Sequence, residues 1–201
     1  MELKLIHSDN FDENDLVQVI ELCRRNSDIP NYEVEDWQSK KNSFLHVFLK
    51  EKRFGQERGG VVLVRDGEKL CGFSGYYRSS FHRDIYLLGV RTLVNAHYRH
   101  KLLMSSHFIP KQIELVSGQA KLVAFTFDLN NVKNIYHVYQ KGKLNHFLKN
   151  KMASFPYWDR LVSLDYPVLI QGTLQNVLYI KLDELFEFEW STLTKSRHPW
   201  L

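Results

Sequence analysis

Only two cysteines, Cys23 and Cys71, occur in 201 residues, and both sit within apolar-periodic segments. That is too few for a disulfide framework, so two buried, inert thiols and a reducing cytoplasm are expected. No apolar run is long enough to cross a membrane, and Met1-Glu2-Leu3-Lys4 lacks a signal-peptide core. Neither membrane association nor secretion is therefore expected. Charge of one sign is not in large excess. The net charge of +4 admits an anionic ligand without arguing for DNA binding. Asp, Glu and Cys are missing from Leu93 to Phe108, so His97, His100 and His107 have no anionic co-ligand there and no metal site is expected. Repeats, low-complexity tracts and interdomain linkers are also missing, which leaves one domain over 1–201.

What is present reads as alternating strand and helix signals. Leu3 to Ile6 is a short strand. Asp12 caps a helix whose Leu16, Ile20 and Cys23 recur at helical spacing, with Asp15 in its first turn. Val34, Trp37, Phe44, Leu45 and Phe48 mark a second helix, closed at Gly55. Two β-rich runs flank Asp66-Gly67, a dipeptide suited to a tight hairpin. Gly72 and Gly75 in the second run signal a bulge or a close backbone approach. Ile85 to Val94 is a third strand.

A helix then carries Leu102, Ile109, Ile113 and Val116 and ends at Gly118. Pro110 either kinks it or marks its true first turn. Lys121 to Phe127 reads as a strand buried on both faces. Asn131 opens a further helix that stops at Gly142. Leu161–Leu164, Val168–Ile170 and Asn176–Leu182 are late strands, and the tail from Thr194 is polar and expected to be loose. The order predicts a mixed α+β fold: a mostly antiparallel central sheet with one parallel strand pair and helices on both faces. A right-handed crossover makes the strand from Ile85 and the strand from Lys121 parallel.

The junction Leu93 to Phe108 combines a strand end, a basic triplet (Arg99, His100, Lys101) and an apolar-periodic helix. Together with the element order it resembles the GNAT superfamily of N-acetyltransferases. The similarity runs as element order from about Leu3 to Leu182 and at residue level from Gly60 to Gly142. Members show a strand ending in valine, a Tyr-Arg loop, an Arg/Gln-x-x-Gly-x-Gly/Ala turn, a long helix, and later an Asn…Tyr…Gly helix. Here those features read as Val94, Tyr98-Arg99, the turn Arg99 to Met104, and Asn131, Tyr139 and Gly142. Leu102 and Met104 stand at both glycine positions. A late Gly172-x-x-Gln175-x-Val177 is similar to small members carried by bacteriophages.

The resemblance implies acyl transfer from acetyl-CoA or another acyl-CoA to an amine, on a small molecule or a protein, by direct attack. It places the pyrophosphate on backbone amides from Arg99 and His100 through Lys101, Leu102, Leu103 and Met104 to Ser105. It places the pantetheine arm beside Leu93 and Val94, with Asn131 as a further contact, and makes Tyr139 the acid for the departing thiolate. Physical chemistry allows each role. A helix start offers amide donors, and Arg99 and Lys101 add charge-assisted bonds. A phenol with a pKa of about 10 is protonated at neutral pH.

Each residue also has a plainer reading. The triplet can be a solvated loop, Asn131 a helix cap and Tyr139 a core residue. Arg91, a full charge in an apolar strand, either holds an acceptor's carboxylate or pairs with an acidic side chain. His82 and Asp84 are either water-mediated bases or loop residues. The acceptor pocket is expected from the first two helices and the Tyr77–Asp84 loop. Two other functions remain open: a GNAT-shaped interaction protein without catalysis, and a nucleic-acid binder using the basic, aromatic-interleaved segment Lys133 to Lys151.

Overall fold

The computed structural model describes residues 1–6, 13–25, 59–101, 104–128, 157–170 and 173–195. The expected helices from Glu33 and from Asn131 lie outside these residues, and so do Leu102, Leu103, Asn131, Tyr139 and the basic segment Lys133 to Lys151. The described strands form one sheet. They are β1 (Glu2–Ile6), β2 (Gly59–Asp66), β3 (Lys69–Arg78), β4 (Ile85–Val94), β5 (Leu122–Asp128), β6 (Val162–Ser163), β7 (Val168–Ile170) and β8 (Thr173–Lys181). Their spatial order is β1-β2-β3-β4-β5-β8-β6, and β7 also pairs with β8.

All pairings are antiparallel except β4 with β5, which run parallel as the crossover rule requires. The sheet turns from β2 into β3 through Gly67 and Glu68, with Asp66 paired to Lys69 and Gly67 at φ 59°. The hairpin loop therefore sits one residue later than Asp66-Gly67. Between Leu70 and Gly72, Cys71 is the extra residue of a bulge opposite Val64 and Arg65.

Among the described residues, two of the helices lie on opposite faces of the sheet. α1 (Glu13–Arg24) buries Val19, Leu22 and Cys23. α2 (Ile109–Val116) buries Ile109, Ile113 and Val116 at helical spacing and has Pro110 in its first turn, where a missing N–H costs no intrahelical bond. The α2 stripe packs with Val62, Val64, Leu88, Val123, Phe125 and Ile180. Asp15 of α1 instead reaches Lys4 and Arg65, which lie on the Leu63 face of the sheet. β5 is covered on both sides: Leu122, Val123, Ala124 and Phe125 are all buried. Burial of Leu122, Val123 and Phe125 contributes about 1.5–3 kcal/mol each.

One expectation is corrected. The junction after β4 is not one turn leading into one helix. A 3₁₀ segment (Ala96–Lys101) holds the basic triplet, and a π turn (Met104–Phe108) precedes α2. Proline has no N–H for the carbonyl four residues back and its ring crowds that carbonyl, so a wider turn ahead of Pro110 relieves the conflict. Of the tail expected to be loose from Thr194, residues 196–201 lie outside the described residues. Residues Thr192–Lys195 form a helical turn, the Thr194 hydroxyl donates to the Ser191 carbonyl at 2.7 Å, and Trp190 is buried just before it. No described helix is long and apolar enough to cross a membrane.

Asp15 joins α1 to the sheet edge. Its side chain is 2% exposed and lies 2.6 Å from Lys4 Nζ, while an Arg65 guanidinium N–H donates to its other oxygen. Arg65 also donates to Gln18 Oε1 and the Glu68 carbonyl, both at 2.9 Å. Removing the carboxylate strands a largely buried guanidinium. Asp15→Ala is therefore expected to lower stability by about 3 kcal/mol. Urea denaturation measures this, and an unchanged midpoint would show the pair to be energetically idle.

Candidate active site

The parallel ladder between β4 and β5 covers only Ile85↔Leu122 to Leu88↔Phe125, although β4 continues to Val94 and β5 to Asp128. Beyond Leu88 the two strands are not paired with each other, so a cleft opens between them at their carboxyl ends. The cause lies in β4. Two register shifts against β3 insert Gly89 between the Tyr76↔Leu88 and Gly75↔Val90 pairs, and set Arg91 and Thr92 against Ser74 alone. Gly89 adopts φ 71°, a left-handed angle that a side chain would resist. Bulges bend a strand and steepen its twist, which carries β4 away from β5.

A bulge leaves main-chain groups off the ladder, and here side chains collect them. The Gly89 N–H donates to Gln112 Oε1 at 3.0 Å, and the Gly89 carbonyl accepts from the Thr92 hydroxyl at 2.8 Å. Ser74 and Thr92 hydroxyls are 2.6 Å apart. The Thr92 hydrogen is already committed to Gly89, so Ser74 is the donor in that pair. Gln112 Nε2 shares its two hydrogens among Ser74 Oγ, the Ser74 carbonyl and the Gly75 carbonyl, at 3.0, 3.1 and 3.1 Å. Gln112 and Ser74 are fully buried. The circuit closes on itself and fixes the amide's orientation.

The C-terminal end of β4 is anchored as firmly. Asn95 donates its N–H to the Cys71 carbonyl at 2.8 Å. Its side chain accepts the His97 N–H at 3.1 Å, and its carbonyl accepts the Tyr98 N–H at 2.8 Å. Buried Tyr98 donates to Asp66 Oδ2 at 3.3 Å, tying the 3₁₀ segment to the β2–β3 hairpin. Burial, with Cys71 and Asp66 nearby, pushes its phenol pKa up, so it stays a donor. A Cβ at Gly72 would lie 2.7 Å from the Leu93 carbonyl oxygen and 3.3 Å from the Phe108 ring. Only glycine lets β3, β4 and the start of α2 close up there.

Of the sequence-derived site residues, Leu93 is buried and Val94 half-buried, each at the cleft end of β4 and paired in register with Phe73 and Gly72. Arg91 occupies the second bulge by register. Arg99, His100 and Lys101 belong to the 3₁₀ segment, Met104 and Ser105 to the π turn. In a 3₁₀ turn the amides address carbonyls three residues back. The amides of the triplet are thus used within the chain, not splayed outward as an open loop.

His82 and Asp84 are loop residues. His82 exchanges bonds with Ser79, and its Nδ1 accepts the Asp84 N–H at 3.2 Å. Its ring meets Phe186 and Phe188 edge-on, with centroids 5.3 and 5.6 Å away. Both residues precede Ile85, at the closed end of the strand pair and roughly 20 Å along the strand from Val90. The Tyr77–Asp84 loop shares that location, so it does not border the cleft. Sequence reading missed Gly89, Gln112, Ser74, Thr92 and Asn95. Gln112 was visible as a polar residue in the apolar stripe of Ile109, Ile113 and Val116, and Gly89 as a glycine inside a strand.

No family model matches the sequence, and no curated protein matches it. Solved structures do match in fold. The spermidine N-acetyltransferase of Vibrio cholerae is 12% identical with a TM-score of 0.55, over 90% of this chain and 95% of its own. An aminoglycoside 6'-N-acetyltransferase complexed with coenzyme A is 12% identical with a TM-score of 0.57, over 93% and 100%. An acetyltransferase of the GNAT family from Staphylococcus aureus is 16% identical with a TM-score of 0.51, over 90% and 100%. The fold is that of the GNAT acetyltransferases.

His107 sits in the π turn with Nδ1 2.7 Å from Ser106 Oγ. Burial, then the N-terminal charge, hold its pKa below the ordinary histidine value. Below about pH 6.5 the unfolded chain takes up a proton that the folded chain refuses, so stability present at neutral pH is lost as pH falls. Melting temperature is expected to drop on acidification below about pH 6.5. His107→Gln is expected to flatten that limb, and superimposable pH profiles would remove His107 as a contributor.

Proposed function

We propose that the chain transfers an acyl group from acyl-CoA to an amine. The parting of β4 and β5 beyond Leu88 carries this reading. An extended chain with amide groups fits between two separated strands as an added strand, bound through the main chain. Support also comes from the shared fold, which one neighbour shows with coenzyme A bound. The acceptors that its neighbours' names give, spermidine and aminoglycosides, are amines, which favours an amine here, on a small molecule or a protein. Two buried free thiols suit a reducing cytoplasm.

The residues fit the group in kind. The arm of the cofactor runs beside Leu93 and Val94, with Asn131 as a further contact. Its diphosphate meets the segment Arg99, His100, Lys101, Leu102, Leu103, Met104 and Ser105, where Arg99 and Lys101 supply charge-assisted bonds. Acyl-CoA supplies a thioester already reactive toward amines. The chain aligns the two reactants, which converts a bimolecular encounter into a local one. As the amine nitrogen bonds to the acyl carbon, the C–S bond breaks. Tyr139 protonates the sulfur, and the amine loses its proton to solvent, since β4 carries no carboxylate. Arg91 orients an acceptor's carboxylate.

Excess CoA is expected to raise the melting temperature by roughly 5–10 °C at a hundred times its dissociation constant. No shift at millimolar CoA would overturn the reading. Arg99→Ala is expected to weaken CoA binding about tenfold through loss of one charge-assisted contact, with the melting temperature of the free protein unchanged. Equal affinity in calorimetry would remove Arg99 from the site. Tyr139→Phe is expected to lower kcat for acyl transfer by about a hundredfold while sparing CoA binding. An unchanged kcat would assign the proton to water.

A further inference from the structure

We infer that Gln112 is a positioning residue for the acyl arm, fixing from α2 the bulge that sets the register of the cleft. The inference rests on the acyl-transfer reading. Three observations carry it. The first is placement. Gln112 occupies the buried stripe of α2 between Ile109 and Ile113, a place that helical periodicity gives to apolar side chains. Nothing in the folding of the helix asks for an amide there. The second is connectivity. Both polar main-chain groups of Gly89 are held by side chains, its N–H by Gln112 directly and its carbonyl by Thr92, which Ser74 links back to Gln112.

The third is geometry. α2 continues directly from the π turn that holds Met104 and Ser105 of the proposed diphosphate end, and through Gln112 the same helix bonds the bulge. A ligand spanning both must satisfy both at once. Gln112 fixes the bulge relative to the diphosphate end, so the edge of β4 from Val90 onward meets the arm in one register. Gln112 does not touch the reacting atoms in this account. It acts through Gly89.

The test uses the full chain and two probes: acetyl-CoA, and 3'-phosphoadenosine 5'-diphosphate, the nucleotide and diphosphate without the arm. Gln112→Met keeps volume and removes the circuit. By calorimetry it is expected to weaken acetyl-CoA roughly tenfold to a hundredfold and the nucleotide by less than about twofold. Equal losses on both probes would mean that Gln112 only holds the fold together, and no loss on either would mean that the register does not depend on it. Either result overturns the inference. If the parent chain binds neither probe, the acyl-transfer reading itself fails and takes the inference with it. Should Gln112→Met not fold, Thr92→Val removes the bond to the Gly89 carbonyl and the one accepted from the Ser74 hydroxyl, and leaves those of Gln112 in place. The same selective loss, smaller in size, is expected, and an unselective or absent loss overturns the proposal.

Discussion

The hydrogen bond from the Gly89 N–H to Gln112 is what allows a strand in the middle of a sheet to leave its neighbour. A parallel strand that parts from its partner strands donors and acceptors, and each one buried without a partner costs about 1–3 kcal/mol. The chain meets that cost with one amide and two hydroxyls, all reached from elements already packed together. The Thr92 and Ser74 hydroxyls close the circuit within the sheet, and Gln112 closes it to the helix. The cleft is therefore not a gap left over by loose packing. It exists only when α2 is seated, because the helix supplies the group that makes the bend affordable.

That dependence divides the molecule into two tasks. β1, β2 and α1 are locked by Asp15, whose partners Lys4 and Arg65 come from the two outermost strands on that side. β4, β5 and α2 carry the cleft. β3 joins them, and its two faces are used differently. Tyr76 packs with the α2 stripe, while Tyr77 joins the cluster under Val168, Ile170 and Trp190. Burial raises the Tyr76 pKa to about 12, with the neighbouring Tyr86 adding to it, so this phenol stays neutral across any working pH.

The sequence made the scaffold legible because the signals were local. Alternation and turn chemistry placed β1 to β5, and the run Lys121 to Phe127 announced a strand buried on both sides. Pro110 correctly marked a first turn. The junction was misread because periodicity alone cannot separate a 3₁₀ segment, a π turn and an α-helix when their apolar residues fall on one face. The site was less legible for a physical reason. Its decisive contacts join residues far apart in the chain: Ser74 with Thr92, and Gln112 with both Gly75 and Gly89. A buried glutamine among isoleucines was a clue to such a contact but not to its partner. A place in the first turn explains the position of Asp15 in α1 but not its burial.

The missing glycines take on a different meaning once the junction is seen as two helical segments. Glycine serves an anion site where the ligand must touch the backbone or where the chain needs a left-handed angle. Within the 3₁₀ segment the amides answer to carbonyls of the chain, and Asn95 has already claimed those of His97 and Tyr98. Backbone contact is therefore a smaller share of what this junction can offer an anion, and side-chain charge a larger one. Arg99 and Lys101 supply that charge in the proposed site, and a guanidinium reaches a phosphate across a distance that a bare amide cannot. Leucine and methionine at 102 and 104 are compatible with such recognition. What that recognition gives up is the tight, charge-independent grip of a glycine loop, so binding here should rest more on ionic strength than binding to an amide cradle does.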